Sequence, residues 1–140
     1  MENRELFIKE RNEAIAAGEC AIRSLKEAQK ELSGARTWGA IDMLGGSFFS
    51  SLIKRSKMNG ARNCLKQASN DLAAFSRELG DVNRFADINV DTGDLLGLAD
   101  LFYENFLVDL LMQSRINTAR SKVAEAISKV QGTVDMLKRM

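Results

Sequence analysis

The chain has no histidine and no proline, one tryptophan, one tyrosine and two cysteines among 140 residues. Each scarcity removes something. Histidine is the commonest acid-base side chain near neutral pH and the commonest metal ligand. Without it there is no Ser-His-Asp or Cys-His pair, no mixed zinc site and no Glu-x-x-His di-iron bundle. Two cysteines, Cys20 and Cys64, cannot supply a four-thiolate site within one chain. Ordinary chains carry about 5% proline. Its absence here suits long helices joined by polar or glycine corners. Lysine plus arginine exceed aspartate plus glutamate by one, so charge alone gives no basic face for nucleic acid. No cofactor is implied. The first residues, Met1-Glu2-Asn3-Arg4-Glu5, are too charged for a secretory leader. With the two thiols inside helical patterns, a cytoplasmic protein with free cysteines is expected.

What is present is a seven-residue rhythm. From about residue 2 to residue 33, Ile8, Ile15 and Ile22 recur beside Phe7, Ala14, Ala21, Ala28 and Ala35, and Leu25 and Leu32 complete the stripe. This predicts a helix about 45 Å long, with Ser33-Gly34 as its stop. Gly18 falls on the seam and predicts close approach of a neighbouring helix. A second heptad helix is predicted from about Gly60 to Val82, capped by Asn59. Its apolar positions are Ala61, Leu65, Ala68, Leu72, Phe75, Leu79 and Val82, spaced four and three without a miss. A third runs from about Gln113 to Lys138 on Ile116, Val123, Val130 and Leu137, accompanied by Ala119, Ala126, Ile127 and Val134. Before it, residues 94–112 form a short helix apolar nearly all round. Residues 94–138 read equally as two helices or as one with a bend near 109–114. Three long apolar stripes can be buried only against one another or against a second copy. The prediction is an all-α, single-domain chain over 1–140, an elongated antiparallel bundle of three long helices and two or three short ones.

The apolar helix carries Asp100, Glu104 and Asp109. Its leucines, phenylalanines and valine favour membrane insertion by about 3 to 6 kcal/mol, but Asp100 and Glu104 together cost about 5 to 7 kcal/mol. Burial in protein is the better account. A carboxylate-dependent enzyme would draw on Asp42, Asp100, Glu104 or Asp109. Acids at the wet edge of a helix, paired with Arg115 or Arg120, explain the same residues without chemistry. Asp87, Asn89 and Asp91 imitate the opening of a calcium loop. The sixth position is Thr92 instead of glycine, and the twelfth is Leu98 instead of glutamate. Turn residues and caps account for them better, with Asp91 or Thr92 capping the helix that runs from Asp94 and Asp94 suiting its positive N-terminal end.

Residues 37–57, "TWGAIDMLGGSFFSSLIKRSK", differ from their surroundings. Thr37 caps a predicted two-turn helix through Leu44. Gly45-Gly46 supplies the corner, and Ser47 opens a second short helix through Lys57 bearing Phe48, Phe49, Leu52 and Ile53. Trp38 would plug the end of the bundle. The alternative is an interfacial patch, in which Trp38, Phe48 and Phe49 beside Lys54, Arg55 and Lys57 meet a membrane surface or a partner. The pattern Trp-Gly-x-x-Asp-x-x-Gly-Gly, at Trp38, Gly39, Asp42, Gly45 and Gly46, resembles that of a family of small bacterial proteins. So do the later "FSRELGDV" and "ADLFYENFLVDLLMQSRI". That resemblance implies a helical fold and a bacterial source, and no activity. The reading as a whole is a non-enzymatic protein that self-associates or docks another protein, with Trp38, Gly39, Asp42, Gly45, Gly46, Phe48 and Phe49 as the candidate interaction motif.

Overall fold

The computed structural model describes residues 2–34, 47–86, 88, 90, 92–103 and 116–140. These residues are all-helical, with no strand among them. Helix α1 spans Glu2–Gly34, α2 Ser47–Asn83, α3 Thr92–Tyr103 and α4 Ile116–Arg139. α2 packs against α1 and also against α3, while α1 also packs against α4. Residue numbers rise along α1 as they fall along α2: Glu10 lies by Glu78, Gly18 by Phe75, Ser24 by Asp71 and Glu31 by Gly60.

The seam follows the heptads closely, because positions spaced three and four apart share one face of a helix. Ala14, Ala21, Leu25, Ala28 and Leu32 of α1 are wholly buried. So are Ala68, Leu72, Phe75, Leu79 and Val82 of α2, and Ala119, Val123, Ala126, Val130 and Leu137 of α4. Each leucine, valine or phenylalanine taken fully from water contributes about 1.5 to 3 kcal/mol. Alanines between them let the helix axes come close. Gly18 is the extreme case, since a Cβ there would collide with Val134 and lie 2.9 Å from Phe75 Cε1. Three helices therefore meet at one missing side chain, as its seam position predicts.

Two expectations change. The isoleucine stripe is not the centre of the α1 seam. Ile22 is 7% exposed, Ile15 is half-buried and Ile8 is 38% exposed. The alanine-leucine line from Ala14 to Leu32 holds the centre instead, wholly buried. Second, the two helices expected over Ser47–Lys57 and Gly60–Val82 are one helix, Ser47–Asn83. Asn59 is not an N-cap, and Gly60 lies mid-helix. An Asn-Gly pair costs a helix only about 1 to 2 kcal/mol relative to alanines. With no proline to remove a hydrogen bond, the backbone carries on through it. Gly60 also leaves room for α1, since a Cβ there would be 3.1 Å from Glu31 Oε2.

The end of α1 at Gly34 agrees with expectation, whereas α3 begins at Thr92, two residues before the expected Asp94, which sits in its first turn. α2 closes through Phe85 N–H donating to Val82 O at 3.0 Å, and Ile88 N–H donates to Asn83 Oδ1 at 3.3 Å. Whether residues 94–138 are one bent helix or two turns on 104–115, which lie outside the described residues, as does Ala35.

Candidate functional site

Of the candidate motif, Trp38, Gly39, Asp42, Gly45 and Gly46 lie outside the described residues. Phe48 and Phe49 belong to the first turn of α2, and their side chains are likewise outside. The calcium-loop residues Asp87, Asn89 and Asp91, and the acids Glu104 and Asp109, also fall outside. Asp100 is exposed on α3. Among the described residues, no helix is long and apolar enough to cross a membrane.

The described residues bring together a different set of acids. Glu10 of α1 and Glu78 and Asp81 of α2 each offer a carboxylate oxygen, and these atoms lie within 4.8 Å of one another. All three residues are half-buried, and Glu78 Oε2 is out of water without a hydrogen-bond partner. Burial raises the Glu78 carboxyl above its ordinary range. Glu13, Asp81 and Glu10 raise it further, while Arg77 opposes them. Arg84 lies 4.0 Å from Asp81 across an exposed i,i+3 pair. Three oxygens at this spacing match what a hard cation asks for, but such groups also arise wherever acidic helix faces meet. Sequence reasoning missed the cluster because only the alignment of α1 with α2 brings residue 10 to residue 78.

The remaining polar contacts position helices. Among the described residues, Ser69 and Ser76 are the buried polar side chains, seven apart on the side of α2 that meets α3. Ser69 Oγ donates to Ala99 O at 2.5 Å, and Ser76 Oγ donates to Thr92 O at 3.4 Å. α3 is thus tied to α2 at its first residue and again at Ala99, one turn before its end. Ser24 Oγ donates to Asp71 across α1 and α2, and Gln67 Nε2 donates to the same carboxylate at 3.2 Å. Lys129 of α4 pairs with Asp94 of α3 and lies 3.3 Å from Glu125. The hydrogen bond to Asp94 is the main reason its ammonium is held above its usual range. Lys138 pairs with Glu19 at 3.1 Å, joining α4 to α1.

Both cysteines are free thiols. Cys64 is half-buried, and burial, then Glu31 and Glu27, push its thiol up. That disfavours the reactive thiolate. It lines an open hollow of about 340 Å³ with Arg23, Ser24, Glu27, Asn63 and Gln67. A second open groove, about 460 Å³, runs between Gln29 of α1 and the Ala124–Asp135 stretch of α4. Neither combines a nucleophile, a base and an oxyanion donor.

Comparison with protein-family models, with curated proteins and with solved structures finds no match to this chain.

Proposed function

We propose that this chain is an elongated antiparallel bundle of three long heptad helices, with shorter ones, that works by protein-protein contact, above all self-association. It is read as non-enzymatic, cytoplasmic and of bacterial type. The observation that carries the reading is apolar surface left over once the seam is complete. Ile8, Leu6, Phe85, Leu96 and Tyr103 are 38, 43, 39, 43 and 61% exposed. The opposed numbering of α1 and α2 supports the antiparallel arrangement.

Sedimentation equilibrium over a wide concentration range tests this. A mass above that of one chain, rising with concentration, is the expected result. A single-chain mass throughout, with no partner on affinity capture, would rule it out.

A further inference from the structure

Among the described residues, helix contacts run in an open series, α4 to α1 to α2 to α3, and the two ends of that series barely meet. α3 has no close backbone approach to α1 and only a marginal one to α4, so its support is α2. Its inner face, Leu95, Leu98, Ala99 and Phe102, is buried. Leu96, Asp100 and Tyr103, on the rest of the helix, are exposed. At 12 residues α3 is near the lower limit for a helix that stands alone in water, so it keeps its shape by being docked.

The two edges of α3 are held by groups that water can replace. On the α2 side, the Ser69 and Ser76 hydroxyls donate to Ala99 O and Thr92 O. When those surfaces part, hydroxyls and carbonyls take water as partner, a compensation that the aliphatic face of α2 toward α1 lacks. On the α4 side the tie is ionic. Lys129 Nζ donates to Asp94 Oδ2 and also lies 3.3 Å from Glu125, one turn back on its own helix. The Lys129 and Asp94 side chains are 36 and 48% exposed. If α3 moves away, Lys129 keeps Glu125 and Asp94 is hydrated, so neither charge is left buried and unpaired.

We propose that α3 is a flap hinged on α2 and latched to α4 by Lys129, opening as a unit while α1, α2 and α4 stay packed. Opening uncovers Leu95, Leu98 and Phe102 together with the serine-bearing face of α2, an apolar surface that the closed form hides. Because the latch is a solvent-exposed ion pair, salt favours the open form. This inference does not rest on the proposed self-association.

The test is amide hydrogen exchange on the full chain, resolved by residue, with circular dichroism to confirm unchanged helix content in each variant. Amides of α3 are expected to exchange about tenfold or more faster than those of the buried stretches of α1 and α4, after correction for intrinsic rates. Lys129→Glu should speed exchange in α3 by a further twofold to fivefold, roughly the range of an exposed ion pair, and leave α1 unchanged. Adding Asp94→Lys to that variant should bring the rate back toward that of the original chain. Raising salt to about 0.5 M should speed α3 in the original chain and slow it in Lys129→Glu, where the facing charges repel. Exchange in α3 no faster than in α1 and α4, or a Lys129→Glu effect spread evenly over all four helices, overturns the flap. Opening confined to α3 but indifferent to Lys129→Glu and to salt overturns the latch.

Discussion

α2 buries two faces by different means. The face toward α1 is a run of aliphatic and aromatic side chains, Leu65 through Val82, at no more than 1% exposure. The face toward α3 has serines at 69 and 76, and they bond to α3 backbone carbonyls. Aliphatic packing is non-directional, so the first face derives its strength from area. Hydrogen bonds need one geometry, so the second face derives its register from two hydroxyls. Most of the free energy comes from the first face, and the placement of the short helix comes from the second.

The largest effect belongs to the apolar face. Leu72→Ala should cost about 2 to 5 kcal/mol in chemical denaturation, because the close-packed seam cannot collapse into the gap. Next comes the crossing at Gly18. Gly18→Ala should destabilise by about 1 to 3 kcal/mol, as its methyl is forced onto Val134 and Phe75. Gly132 has nothing within 4 Å of an added Cβ. Gly132→Ala should therefore gain about 0.5 to 1 kcal/mol from helix propensity. If both substitutions stabilise, the three-helix contact at Gly18 is wrong.

The serine face responds more weakly. Ser69→Ala should cost about 1 kcal/mol. Its signature is faster amide hydrogen exchange confined to α3, with α1 and α4 still protected. Equal loss of protection across all four helices would show that α3 is not held separately.

The smallest effect is at the acidic cluster. Burial and the neighbouring acids raise Glu78, so the folded chain holds that proton more tightly than the unfolded chain does. Stability from this group is therefore present at acid pH and is lost as pH rises from the ordinary carboxylate range through the raised one. Glu78→Gln should stabilise at neutral pH by a few tenths of a kcal/mol, since the group is partly exposed to solvent. The gain should close below about pH 4, the ordinary glutamate range. A gain that persists unchanged at acid pH would assign it to packing instead of charge.

Much of this architecture was legible before any coordinates. The four-three spacing from Leu65 to Val82 placed that face without error, because burial of one helix face leaves a period that few other constraints can produce. Gly18 was legible for the same reason, as a gap at a seam position. The break at Asn59-Gly60 was misread: local stop signals are weak beside the cooperativity of a helix that is packed on both sides. Ile8 was misread because periodicity shows which face is apolar and not how far along it a neighbour extends. Ser69 and Ser76 repeat at seven residues, so a signal was present, but serine is as common on wet faces as on buried ones.

The composition alone settled that the chemistry of histidine is unavailable and that helices have no proline to interrupt them. The heptads alone settled the apolar interior faces of α2 and α4, since water excludes those side chains wherever the helices lie. Only the tertiary structure decided the alignment of the helices. Alignment makes Glu10 a neighbour of Glu78, pairs Lys138 with Glu19 and leaves Ile8 uncovered. A repeating stripe is nearly degenerate to sliding by one heptad, and contacts between residues distant in sequence remove that degeneracy.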